Sequence, residues 1–178
     1  SRIYYVHLLQ DLCKSSPRGT KSKEGGYASR TERHRIMRVL LISPYLFPHK
    51  GGVEQFNLEL GKHLAKTNDL TILSSKLNTE KESEHVLGFN IIRIPHFNLF
   101  GGTLPVPKKN SAVKKVIKTL QPDLIITSTR FFPISFWATF YARRIKIKHI
   151  HIEHGSDFVT LNNSVLRLIG RIYDLTIG

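Results

Sequence analysis

Residues 37–42 form an almost wholly apolar run. It breaks on Ser43-Pro44-Tyr45-Leu46-Phe47-Pro48-His49-Lys50-Gly51-Gly52, and the chain re-enters a segment of helical period carrying Val53, Phe56, Leu60 and Leu64. That succession constrains the fold more than any other part of the chain. A short apolar run bracketed by Pro and Gly reads as a strand covered on both faces, and such strands belong to parallel sheets. A strand that passes through a Gly/Pro loop into a helix also suits an anion. Glycines let the backbone approach a ligand, the first helical amides have no internal partners, and the helix dipole favours negative charge. A Gly-Gly pair before a helix serves a plain tight turn equally well, so both readings stand at this point.

The alternation continues along the chain. Strands are expected over residues 37–43, 70–75, 89–95 (closed by Pro95), 123–128 and 147–154. Helices are expected over 52–66, 108–120, 133–144 and 163–172, and one more strand over 173–177. The charged stretch 79–85 reads as loop or turn. Residues 98–107, with Gly101-Gly102 and two prolines, read as a long loop. Strands and helices alternating at this spacing imply βαβ units with right-handed crossovers, hence an α/β fold with a Rossmann-like, doubly wound parallel sheet. Ligands in such folds bind beyond the carboxyl ends of the strands. Three loops fall at such ends: residues 44–52, 129–133 and 154–158.

The net charge of +14 and pI near 10.1 raise anionic partners: phosphorylated ligands, lipid surfaces or nucleic acid. Residues 1–36 hold 8 Lys/Arg against 3 Asp/Glu, a net +5, and have little to bury. They read as a basic, disordered extension outside the fold, or as a basic arm that touches nucleic acid or membrane. Residues 37–178 then form the folded domain. Cys13 is the sole cysteine, which excludes an intrachain disulfide or a cysteine-cluster metal site and favours a reducing, cytoplasmic compartment. No apolar run approaches the length of a membrane span, and the N-terminus lacks a signal-peptide pattern.

The stretch from Lys148 to Asp157 is dense in polar groups. In a strand, His149, His151 and Glu153 share one face, while Ile150, Ile152 and His154 share the other. The first three do not have the spacing of a helical zinc motif, and no metal is expected. His154 stands at the strand's end before Gly155, where it could face a cleft and meet a sugar hydroxyl or phosphate, or simply cap the strand. Asp157 could face the same cleft or cap a following helix. Arg130, after another strand, could pair with an anionic or polyhydroxyl ligand or with a surface carboxylate. The lysines 108, 109, 114, 115 and 118 and the group Arg143, Arg144, Lys146 and Lys148 are either solvated helix faces or a site for anionic lipid headgroups. No nucleic-acid-binding module appears, and no specific nucleic acid is expected.

Three parts of this pattern resemble the N-terminal domain of retaining glycosyltransferases of family 4, which have the GT-B architecture of two Rossmann-like halves. They are the opening strand and loop through Gly51-Gly52-Val53-Glu54, the Gln121-Pro122-Asp123-Leu124-Ile125-Ile126 entry to a central strand, and Glu153-His154-Gly155-Ser156-Asp157. The resemblance runs from Met37 to Gly178. It implies a hexosyltransferase that moves sugar from a nucleotide-sugar donor, UDP- or GDP-linked, to a glycan, lipid-linked or phospholipid acceptor. It further implies work in cell-envelope polysaccharide synthesis, without a cofactor or bound metal. Gly51 and Gly52 would lie near the donor diphosphate. His154 would face the transferred sugar as the catalytic group. Tyr45, His49, Glu54, Arg130, Gly155 and Asp157 would border the cleft or the acceptor. The family's second domain, which holds most of the donor through a Glu-x7-Glu motif, finds no counterpart by Gly178. The chain is therefore expected to be one half of the enzyme, inactive alone, and cytoplasmic or peripheral at the inner face of the membrane. Two alternatives remain at the level of sequence: a standalone Rossmann-like module that binds a phosphorylated or nucleotide ligand without catalysis, and a basic adaptor for membrane or nucleic acid.

Overall fold

A computed structural model describes residues 36–77, 80–99, 104–129 and 131–154. Strand β1 (Arg38–Ile42) leads to helix α1 (Gly52–Leu64) and β2 (Asp69–Lys76). Then come β3 (Ser83–Val86), β4 (Phe89–Leu99) and β5 (Leu104–Pro107), followed by α2 (Asn110–Leu120), β6 (Leu124–Ser128), α3 (Pro133–Arg144) and β7 (Lys148–Ile152). The sheet order is β3-β4-β2-β1-β6-β7, with β5 paired to β4. Strands β4, β2, β1, β6 and β7 run parallel, in the doubly wound arrangement expected.

The alternation of side chains along β1 explains why the sheet is covered twice. Val39 and Leu41 point to one face with Leu60 and Leu64 of α1, and Leu40 and Ile42 to the other with Val113 and Ile117 of α2 and Ile134 and Ala138 of α3. Leu40, Leu41 and Ile42 are wholly buried. Gly61 sets how closely α1 lies on the sheet: a Cβ there would stand 3.0 Å from Ile72 Cδ1 and 3.4 Å from Leu70 Cδ2.

Three expectations need correction. Residues 83–86 are not a loop but β3, antiparallel to β4 in the register Val86↔Phe89. The two residues between them, Leu87 (φ 55) and Gly88 (φ 83), both take positive φ, as a tight hairpin turn requires. Pro95 does not close β4. The Arg93 amide bonds Glu82 O at 2.7 Å, and Pro95, two residues on, faces the same side beyond the end of β3, so its missing donor breaks no bond to that strand. Residues 98–107 are not all loop: Leu104–Pro107 returns antiparallel along the end of β4, in the register His96↔Pro107 to Leu99↔Leu104. The expected helix over 163–172 and strand over 173–177 lie outside the described residues, as does the extension 1–35.

Candidate functional site

The chain moves outward from β1 through β2 to β4, then returns to lay β6 and β7 on the other side of β1. The loops that follow β1 and β6 therefore diverge, and the crevice between them is the switch point where doubly wound sheets bind ligands. Tyr45, in the first loop, meets Phe132, in the second, edge to face with ring centroids 6.1 Å apart.

The loop after β1 is fixed along its length. Ser43 continues the strand through its N–H to Leu73 O (3.0 Å), and Ser75 N–H donates to Pro44 O at 3.2 Å. The buried Asn57 of α1 donates from Nδ2 to Ser43 Oγ at 2.9 Å. Arg93, 4% exposed, reaches from β4 to donate from Nη2 to Phe47 O at 3.2 Å, while its Nη1 pairs with Glu84 of β3 at 2.6 Å. Beyond Phe47, His49 stacks on Tyr45 (4.6 Å) and its Nδ1 lies 3.4 Å from Glu54 Oε1. Burial, with the Glu54 carboxylate nearby, raises the Tyr45 hydroxyl above its ordinary pKa.

Helix α1 begins on the glycine pair. Gly51 is extended (φ −166), a conformation open to any residue. A Cβ there would meet the carboxylate of Glu54, the far end of a flexible side chain that can move aside. Gly52 differs: a Cβ added there would meet nothing within 4 Å. The fold alone does not require glycine at position 52, although glycine in a helix costs about 1 kcal/mol relative to alanine.

His154 stands two residues past β7, on the same face of the sheet as α1. Its ring meets Phe56 of α1 edge to face at 4.8 Å, and its Nε2 lies 2.6 Å from Oγ of the buried Ser128, the last residue of β6. One ring nitrogen is thus engaged with Ser128, which leaves Nδ1 for another partner. Burial lowers the His154 pKa; Glu153 and Glu54 pull it upward, and His151 pulls it down. The glycine pair, Glu54 and His154 therefore share one rim of the sheet, bridged by Phe56, with Tyr45 and His49 beside them. Arg130, Gly155 and Asp157 lie outside the described residues.

Sequence reasoning singled out neither Ser128 nor Thr129 for this rim. A serine ending a strand carries no distinctive signal until its partner's position is known. Thr129 takes φ 61, costly for a β-branched residue, and is held by its N–H to Ile152 O at 3.1 Å.

On the opposite face, Thr127 Oγ1 lies 2.9 Å from His149 Nε2 and 2.8 Å from His151 Nδ1, and His151 Nε2 lies 3.2 Å from Glu153 Oε2. These groups bond one another rather than converge on a point, and among the described residues no group of three or more His, Cys, Asp or Glu could hold a metal ion. Burial first, then the charges of His151 and Arg143, lower His149 to about 4. Its folded pKa lies below the unfolded value of about 6.5, so the unfolded chain binds more protons between these limits. The stabilisation is complete above about pH 6.5 and lost as pH falls toward 4. We expect a drop on the order of 1–3 kcal/mol across that window, reduced in His149→Gln. Denaturant midpoints at pH 7 and pH 4.5 check this, and equal drops in the two proteins would refute it.

Comparison with known proteins bears on what such a rim can do. The sequence model of Glycosyltransferase Family 4 matches residues 50–177. An uncharacterized glycosyltransferase of Methanocaldococcus jannaschii is 31% identical over 153 residues, covering 81% of this chain and 39% of that protein. A second one from the same organism is 32% identical over 130 residues, 73% of this chain and 35% of its own length. A GDP-mannose-dependent alpha-mannosyltransferase of Corynebacterium glutamicum is 31% identical over 121 residues, 66% of this chain and 29% of that protein. The chain thus spans between 29% and 39% of the length of these relatives.

Proposed function

Because the chain belongs to glycosyltransferase family 4, we propose that it is the acceptor-side half of a retaining hexosyltransferase. The whole protein would carry sugar from a UDP- or GDP-sugar to a glycan, lipid-linked saccharide or phospholipid, as in cell-envelope synthesis. The observation that carries this reading is the meeting of the α1 N-terminus and His154 on one rim at the switch point of a parallel sheet. The name of the Corynebacterium relative, which specifies GDP-mannose, supports a nucleoside-diphosphate sugar as donor.

In this scheme the free amides at the start of α1 receive the departing diphosphate, and the helix dipole favours its charge. Glu54 leans over Gly51 and would repel a phosphate there. The approach therefore lies over Gly52, whose Cα faces open space. His154, kept largely neutral by burial and anchored through Nε2 by Ser128, offers Nδ1 to a sugar hydroxyl. Tyr45 and His49 border the acceptor side, joined there by Arg130, Gly155 and Asp157 in the proposal. No metal or cofactor is invoked.

The test takes the full-length protein with UDP- and GDP-sugars and follows nucleotide diphosphate release and the anomeric configuration of the product. Release with retained configuration is expected; an inverted product, or no release with any acceptor class, would overturn the proposal. Gly52→Val should fold with its melting temperature nearly unchanged, because its side chain meets no protein atom, yet bind donor about tenfold or more weakly. Unaltered donor affinity would return the glycine pair to the role of a plain turn.

A further inference from the structure

The net charge of residues 37–178 is gathered in one stretch of sequence. Residues 108–148 hold ten Lys/Arg and one acidic residue, Asp123, a net +9, which equals the whole net charge of residues 37–178. Asp123 is already engaged, its Oδ2 3.6 Å from Nε of Arg38 and 3.0 Å from the Arg38 backbone N–H. Helices α2 and α3 lie side by side on one face of the sheet, and Lys114 Nζ stands 6.0 Å from the Tyr141 ring centroid between them. Lys115, Lys118, Arg143, Arg144, Lys146 and Lys148 are all exposed, and among the described residues none of them meets a carboxylate. Within this cluster stand two large apolar side chains, Phe140 (42% exposed) and Ile145 (46% exposed).

We propose that this outer α2–α3 face docks the protein on an anionic lipid bilayer. The basic groups supply attraction to the headgroups, and Phe140 and Ile145 enter the interface. A nucleic acid would share the electrostatics. Ile145, however, offers no π face for a base to stack on, and apolar groups ringed by Lys and Arg fit the boundary between headgroup and acyl chain. The site is separate from the transfer chemistry. Arg143, Arg144, Lys146 and Lys148 lie where α3 ends and β7 begins, at the end of the parallel sheet opposite His154. The face thus orients the domain on a surface and leaves the rim free. No helix among the described residues is long and apolar enough to cross a membrane, so attachment through this face would be peripheral.

The test uses the whole chain, residues 1–36 included, and co-sedimentation with vesicles of phosphatidylcholine alone or with phosphatidylglycerol added. Binding should require phosphatidylglycerol and weaken as salt rises. With each basic residue contributing about fivefold, the double change R143E/R144E should lower partition by about 30-fold or more. The double change F140S/I145S should lower it by about tenfold with the salt dependence unchanged. Both variants alter exposed positions, and unchanged melting temperatures establish that they fold. Equal partition of R143E/R144E and the parent would place any binding elsewhere, such as in the extension, and overturn the proposal. So would F140S/I145S matching the parent on vesicles. Donor turnover on a soluble acceptor by the full-length protein should be the same with either double change as without it, which separates failure here from failure of the transfer reading.

Discussion

His154→Ala in the full-length protein should lower turnover by about 10²–10³-fold, the usual consequence of removing one preorganised group from the position where charge develops. The substitution also leaves the buried Ser128 hydroxyl without its partner, which costs about 1–3 kcal/mol of stability. The measurement therefore pairs kcat with a melting curve, and with the double variant His154→Ala/Ser128→Ala as a control that removes both partners. A folded His154→Ala protein with parental turnover would remove the imidazole from the chemistry and reduce it to a cap on β7. Recovery of stability without recovery of rate in the double variant is the expected outcome.

The second large effect is on stability. Arg93 is 4% exposed, yet it is charged, and three elements satisfy it: Glu84 of β3, the Lys81 carbonyl, and the Phe47 carbonyl in the loop after β1. Its guanidinium also lies 5.6 Å from the Phe47 ring centroid. Breaking a buried pair by removing one partner costs about 3–5 kcal/mol. Glu84 is 28% exposed and would regain water, so Arg93→Ala should cost about 3 kcal/mol, the lower end of that range. Urea denaturation gives this directly. A loss below about 1 kcal/mol would mean that the pair contributes little beyond a surface bridge. Because Arg93 holds Phe47, the same variant should loosen the segment carrying Tyr45 and His49, and faster amide exchange in that loop is its distinguishing sign.

The parallel core could be read from sequence because its signals are local and strong. Residues 39–42 and 124–126 are runs of buried aliphatics, and α3 carries Pro at its start and Arg at its end, so its bounds were evident. The antiparallel additions were obscure for an equally physical reason. Ser-Glu-His-Val in β3 has alternating exposure and little apolar content, and it is a strand because Phe89–Ile92 provides an edge for it. Pro95 reads as a terminator unless one knows that its nitrogen lies beyond the end of β3, where no ladder bond to that strand is lost. At the rim, the glycine pair and His154 stood out by type and position. Ser128 did not, since its meaning comes from a residue 26 positions away. Gly51 stands out in the sequence for backbone freedom, yet its extended backbone is open to any residue, and the carboxylate of Glu54 is what lies nearest to it.

Gly61 gives the core a hold over the rim. It lies nine positions along α1 from Gly52, roughly 13 Å at the rise of an α-helix, and there the helix rests close on Leu70 and Ile72 of β2. Any bulk added at this bearing point would tilt a stiff rod whose far tip carries the amides offered to a ligand. The aim of those amides is therefore set in part deep in the interior, through the pitch of one helix, with every side chain at the cleft left as it was.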